Sequence, residues 1–373
     1  MTIPLSLYIH IPWCIKKCPY CDFNSHTKQG DLPEIAYVSR LIADLQTQLP
    51  YVQERPITSV FIGGGTPSLF SPTAYDNLFS QLRKYLSFEK NAEITLEANP
   101  GAIDHANFDG YLQAGINRLS IGVQSFQNEK LKTLGRIHQS EDAKKSVIAA
   151  KKAGFDNINI DLMFGLPDQS QQDALHDLEM ALQQSPTHLS WYQLTLEPNT
   201  FFHRFPPTLP ADDFIFEIQL AGQSYLSKNY FHQYEISAYA KNNQRCKHNL
   251  NYWEFGDYLG IGAGAHAKYT DLKTGKIFRR ANTKHPKMYL SDLQYEIKHI
   301  PNSELALEFM LNALRLHQPI SNQLLFERTG LRFFNIQSSL NNARDKKFLF
   351  FDNHSITLTD QGRLFLNEVL MCF

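Results

Sequence analysis

Three cysteines, Cys14, Cys18 and Cys21, fall within eight residues and directly follow the apolar run 5–11. Grouped thiolates hold metals or clusters, and their number decides which. A structural zinc takes four protein ligands, and an ordinary cubane cluster takes one thiolate on each of its irons. Three thiolates leave one iron of a [4Fe–4S] cluster open, free to bind and activate another molecule. The loop taken alone leaves two further readings. Cys18-Pro19-Tyr20-Cys21 has the spacing of a glutaredoxin dithiol, and His26 could complete a zinc knuckle. Against the dithiol stands Cys14, which a two-thiol exchange site does not use, and a chain of 373 residues is far longer than a thioredoxin-like domain. Against zinc stands the isolation of the other cysteines, Cys246 and Cys372.

Gly63-Gly64-Gly65-Thr66-Pro67 offers a different kind of grip. Without Cβ atoms a ligand can approach the backbone closely and meet its N–H and C=O groups. The Lys-Ser/Thr of a phosphate loop is missing, and a plain strand-to-helix turn is the competing reading. Glu97 carries two acceptor oxygens suited to a ribose diol, or it caps a helix. Gln124, Arg136 and Asp161 are polar residues near strand ends, each common by itself. Gly260-Ile261-Gly262-Ala263-Gly264-Ala265 fits a dinucleotide pattern in letters only, because residues 266–271 read as no helix and no βαβ frame surrounds them. It reads instead as a glycine-rich turn near a barrel mouth. In His248-Asn249-Leu250-Asn251-Tyr252-Trp253 an imidazole could ligate haem iron and two aromatic rings could pack on a porphyrin, with Cys246 as a competing ligand. A loop histidine beside a buried aromatic pair is the plainer reading.

These residues need elements to position them. Short β-rich runs at 6–11, 58–62, 92–97, 118–122, 157–163 and 188–194 alternate with helix-period segments such as 35–49, 75–86, 143–153 and 173–184. Six βα units in sequence predict an α/β fold with a parallel sheet, closed as a complete or partial barrel. On such a barrel the cysteine loop follows strand one, the glycines follow strand two, Glu97 closes strand three, Gln124 follows strand four and Asp161 lies late in strand five. Ligand sites of α/β barrels gather at the carboxyl ends of strands, so the scattered residues would converge on one mouth. Pro198, Pro206, Pro207 and Pro210 then mark a change of regime, with an apolar helix at 214–226. We read residues 1–230 as the barrel, 231–285 as a connecting segment carrying the His248–Trp253 motif, and 286–373 as a mainly helical, winged-helix-like domain ending in strands 348–351 and 355–358.

The apolar content of 43% and charged content of 20% are those of a globular protein, and the length is ample for a full core. A net charge of −1 gives no general attraction for nucleic acid or an anionic membrane, so no nucleic-acid partner is expected despite the winged-helix-like tail. Five cysteines, odd in number and clustered, suit a reducing cytosol better than a disulfide framework. No apolar run reaches membrane-spanning length, and the N-terminus lacks the basic region of a signal peptide. The expectation is a cytoplasmic protein.

Taken together, residues 8–14, 18–25, 63–68, 121–125 and 248–253 resemble the radical S-adenosylmethionine (SAM) family. The resemblance is to its haem-chaperone branch, which is related to the oxygen-independent coproporphyrinogen III oxidase. It covers nearly the whole chain and implies a partial (β/α)6 barrel of TIM type with a C-terminal helical domain. It implies a [4Fe–4S] cluster on Cys14, Cys18 and Cys21, with SAM chelating the open iron. SAM contacts are implied for Tyr8, Tyr20, Gly64, Gly65, Thr66, Glu97, Gln124, Arg136 and Asp161, and haem contacts for His248, Asn249, Tyr252 and Trp253. The oxidase branch has a further cysteine where this chain has Phe23, and it lacks the His248–Trp253 motif. The expected function is therefore a haem chaperone. It would hand haem to acceptors such as respiratory enzymes, membrane-associated ones included, with SAM cleavage in the working cycle left open. The alternative is a true oxidase, decarboxylating the propionates of coproporphyrinogen III.

Overall fold

The computed structural model describes residues 3–373, with residues 102–106 described by backbone alone. Its frame is six parallel strands: β1 (Leu5–Ile11), β2 (Ile57–Gly64), β3 (Phe88–Ala98), β4 (Arg118–Gln124), β5 (Ile158–Phe164) and β6 (His188–Gln193). Each runs within a residue or two of its expected place, except that β3 begins four residues early. The long crossover helices are α1 (Glu34–Gln48), α2 (Pro72–Tyr85), α3 (Ala102–Ala114), α4 (Ser140–Lys152) and α5 (Gln171–Gln183), with a short helix Asn128–Thr133 ahead of α4.

Period-two alternation sorts the strands' side chains. Leu5, Leu7, Ile9 and Ile11 of β1 pack outward with Val60, Ile62, Leu96, Leu119, Ile121, Ile160 and Leu189 into the main core under the helices. The alternate positions face inward and are largely polar, including Glu97, Ser120, Asp161 and Ser190. A packed barrel interior would be filled with branched apolar side chains. Here the polar inward set leaves the bore open as a cavity. Helix starts are signalled locally. Ser71 caps α2 by accepting from the Ala74 N–H, with Pro72 in its first turn, and Ser170 and Asp173 form a reciprocal capping box on α5.

The span 231–285 is woven into the sheet. After α6 (Asp212–Lys228) comes a hairpin of β7 (His232–Glu235) and β8 (Ala238–Ala240), in which β8 adds antiparallel to β6 and β7 antiparallel to β8. Helix α7 (Lys247–Trp253) follows, and β9 (Asp257–Ile261) lies parallel to β1 on its free edge. Antiparallel β10 (His266–Thr270), β11 (Ile277–Asn282) and β12 (Tyr295–His299) continue outward. The result is one twelve-stranded mixed sheet, ordered β12-β11-β10-β9-β1-β2-β3-β4-β5-β6-β8-β7. Because β10 takes up residues 266–270, the Gly260–Ala265 stretch enters a strand and not a nucleotide-binding helix, as expected.

Two buried charge networks fix the added strands. Asp257 meets Arg55 at 2.7 Å and Lys268 at 2.9 Å, and it also accepts from Thr270. Asp44 of α1 accepts from Arg280 at 2.6 Å, Asn282 at 2.7 Å and Tyr289 at 2.8 Å. A second core starts at Ile300, past β12, and draws Phe255 and Ile277 into it. It holds α8 (Leu305–Ala313), α9 (Asn322–Thr329), α10 (Gln337–Asp345) and the hairpin β13 (Leu349–Phe351)–β14 (Ser355–Leu358), the helices-then-hairpin order expected of a winged helix. No helix among the described residues is long and apolar enough to cross a membrane.

Candidate functional site

The cysteine loop leaves β1 and returns on itself. Trp13–Cys14 pairs in parallel with His26–Thr27, and the His26 and Lys28 N–H groups donate to the Pro12 and Cys14 carbonyls. The Lys17 ammonium bridges the Phe23 and Ser25 carbonyls from inside the loop. His10 Nε2–H donates to the Asn24 carbonyl at 2.8 Å, so its Nδ1 accepts from the Tyr8 hydroxyl at 2.9 Å. The Asn24 amide reaches across to the Ala263 and Lys284 carbonyls at 2.9 and 2.8 Å.

Cys14, Cys18 and Cys21 line the bore cavity of about 640 Å³. Burial pushes the Cys14 and Cys21 thiols up, so both carry protons at neutral pH and would lose them on taking a metal. The Arg136 guanidinium stands 3.7 Å from the Cys18 sulfur and donates to it. Among the described residues no three His, Cys, Asp or Glu side chains converge as a single metal ion requires.

The glycine loop continues the sheet ladder onto the cysteine loop. The Gly65 N–H donates to Ile11 O and the Thr66 N–H to Trp13 O, both at 2.7 Å. A Cβ on Gly65 would lie 2.5 Å from the Trp13 carbonyl oxygen, and one on Gly64, at φ +116°, would lie 2.5 Å from the His10 ring. Glycine is therefore required by close approach at one position and by both backbone and packing at the other. The Gly64 N–H donates to Glu97 at 3.1 Å. Burial, with Asp161 as a second negative neighbour, lifts the Glu97 carboxyl to about 8. Asp161 is itself pushed up by burial and accepts from Ser120 and Asn159.

All the expected SAM-contacting residues except Tyr8 share this cavity with the cysteines. Tyr8 lines a second cavity of about 600 Å³ alongside, which also includes Cys21, Gly64 and Glu97 in its walls. Three contributors escaped the sequence reading. Asn99 joins Thr66 at 2.9 Å to Arg136 at 2.6 Å, His10 orients Tyr8, and the Tyr192 hydroxyl donates to Gln124 at 2.7 Å. Alternation by two from Glu97, Tyr8 and Ser190 along their strands was the signal that could have found Asn99, His10 and Tyr192.

The His248–Trp253 motif is not a loop. It is helix α7, set near the amino ends of β2 and β3, where Glu93 accepts from the Cys246 thiol and the His248 N–H. His248 is only 1% exposed, its Nδ1 lies 3.2 Å from Ser59 Oγ, and its ring stacks on Phe61. Its Nε2 has no partner among the described residues, and burial lowers its pKa to about 3. Cys246 is fully buried, with its thiol pushed up to about 12. The motif's side chains do not share a face: Asn249 lines the deep end of the bore, Tyr252 the second cavity, and Trp253 lies under the Arg315 guanidinium at 4.4 Å.

Residues 8–181 match the model of the radical SAM superfamily, and residues 300–365 that of the HemN C-terminal domain. A heme chaperone HemW of Haemophilus influenzae is 48% identical, covering 99% of this chain and 98% of its own. The HemW of Escherichia coli is 46% identical over the same shares. Among solved structures, the Escherichia coli coproporphyrinogen III oxidase HemN, a radical SAM enzyme, superposes with a TM-score of 0.83 at 23% identity, covering 99% of this chain and 90% of that one. That last likeness speaks for the fold alone.

Proposed function

The chain belongs to the radical SAM superfamily and within it to the HemW family, and from that premise we propose that it binds haem and passes it to acceptor proteins, respiratory enzymes among them. Membership of the superfamily implies SAM and a [4Fe–4S] cluster. The donor chemistry here fits that pair: three soft thiols on one loop, a guanidinium beside one of them, and a glycine cradle that a Cβ would fill. Cys14, Cys18 and Cys21 hold the cluster in this reading. Gly64, Gly65 and Thr66 offer backbone groups to the methionyl end of SAM, Glu97 accepts from the ribose, and Tyr8, Tyr20, Gln124, Arg136 and Asp161 complete the wall. When reduced, a cluster of this kind supplies the electron that opens the SAM sulfonium.

The residues of the chain do the positioning. His10 fixes the Tyr8 hydroxyl and the Asn24 end of the cysteine loop with one ring. Asn99 and Arg136 hold Thr66 against the same loop. The observation that carries the carrier reading is near-half identity to HemW chaperones over almost the whole of both chains. Phe23, standing where the oxidase branch has a further cysteine, supports it. Two assays run on one anaerobic preparation test the function. Hemin titration should saturate and the loaded protein should transfer haem to an apo-acceptor. Coproporphyrinogen III with SAM and reductant should remain unchanged, and its conversion to protoporphyrinogen would overturn the reading.

A further inference from the structure

We propose that the second cavity, beside the cysteine loop, is where the tetrapyrrole sits, with His266 as its iron ligand and Lys284 as the partner of a propionate. This rests on the haem-carrier reading and adds a location to it. A planar cargo needs an open slot, and α7 does not give one: His248 is sealed between Ser59, Phe61 and Tyr252. The neighbouring cavity, about 600 Å³, falls inside the range of sites that enclose a single organic ligand. Tyr252 and Tyr258, edge to face at 4.4 Å, give it an aromatic wall, and Phe23 faces it from the cysteine loop.

Three imidazoles line this cavity, and their commitments differ. His10 spends both nitrogens on Tyr8 and Asn24, and His26 Nε2 is shared with the Asn24 side chain. Neither ring nitrogen of His266 has a protein hydrogen-bond partner among the described residues. Desolvation and the nearby Lys284 and Arg279 charges lower its pKa, so the ring is neutral at physiological pH, as an iron ligand must be. The two lysines on the lining divide in the same way. The Lys17 ammonium is held by carbonyls of the loop, while Lys284 forms no ion pair among the described residues. Because Cys21, Gly64 and Glu97 belong to both cavities, a tetrapyrrole placed here would lie against the proposed SAM site.

Hemin titration of the reconstituted full chain, read at the Soret band, tests this. His266→Ala should move the band and weaken binding roughly tenfold or more. Lys284→Glu should weaken binding roughly threefold without moving the band. Both positions are exposed at the surface, and both variants should keep the parent's cluster iron. A parent that shows no saturable binding sinks the carrier reading itself. A parent that binds while both variants titrate identically to it overturns only the location. So does a band shift seen in His248→Gln and not in His266→Ala.

Discussion

Replacing Glu97 by Gln should stabilise the ligand-free protein at alkaline pH. The carboxyl faces Asp161 across the bore and has the Gly64 N–H as donor. Burial first, then the Asp161 charge, carries it from an ordinary 4.5 to about 8. A carboxyl whose folded pKa lies above its unfolded one holds its proton more tightly in the fold. Its contribution is therefore full below about 4.5 and is lost as pH climbs through about 8. At roughly 1.4 kcal/mol per pH unit the ceiling is ~5 kcal/mol. Glu97 is half-buried on the cavity wall and Asp161 is a neighbouring acid, so an effect of ~2 kcal/mol is expected. Gln retains an oxygen for the Gly64 N–H and brings no charge.

Urea unfolding of the cluster-free protein, at mildly acidic and at mildly alkaline pH, measures this as a double difference. The parent should lose ~2 kcal/mol relative to Glu97→Gln between the two conditions. Equal losses in parent and variant would refute the argument. SAM should reverse the sign, since a bound sulfonium cation favours the ionised carboxylate. Parent affinity for SAM should rise as pH approaches 8, with proton release, while the variant's stays flat.

Replacing Cys14, Cys18 or Cys21 by Ala should abolish or strongly reduce cluster iron after anaerobic reconstitution, whereas Cys246→Ala should leave the iron-to-protein ratio nearly unchanged. Gly65→Val should keep iron but blunt the SAM-dependent change in the electron paramagnetic resonance spectrum of the reduced cluster, because its Cβ would press on the Trp13 carbonyl at 2.5 Å. Asp257→Asn should cost about 3 kcal/mol or more in urea unfolding, since Arg55 and Lys268 are left buried without a counter-charge. Burial pushes the Asp257 carboxyl up, but Lys268 and Arg55 outweigh it and hold it below its ordinary 3.8. Its stabilisation is thus present above about 3.8 and fades in acid, and an Asn variant that matched the parent at neutral pH would contradict the network's role.

The barrel was legible because its signals are local. Each strand is a short β-rich run, each helix shows its own period, and the carboxyl-end rule then gathers Cys14, Gly64, Glu97, Gln124 and Asp161 without further information. The partner of β1 was not legible. β9 looks like any short strand, and nothing in Asp257–Ile261 says that it will lie parallel to Leu5–Ile9. The same non-local pairing hid the way residues 231–285 widen the sheet. Helix α7 was not legible for another reason: aromatic and imidazole groups suggest a ligand surface, while His248 and Asn251, one helical turn apart, are buried and the His248 ring packs on Phe61 of β2 and near Tyr8 of β1. His10 was passed over because a histidine on a strand carries no motif, although its two hydrogen bonds link Tyr8 to the cysteine loop.

The pairing of β1 with β9 also sets a clock. Ile11 and Ile261 are 250 residues apart, and at the ribosome's ~5–20 residues per second the gap is on the order of 10–50 s. During that interval the first strand of the nascent chain is an unprotected edge, and Asn24 lacks Ala263 and Lys284, the carbonyls that tether its loop. A chain cut short before residue 257 would therefore present both a sticky strand and a cysteine loop without its far anchor.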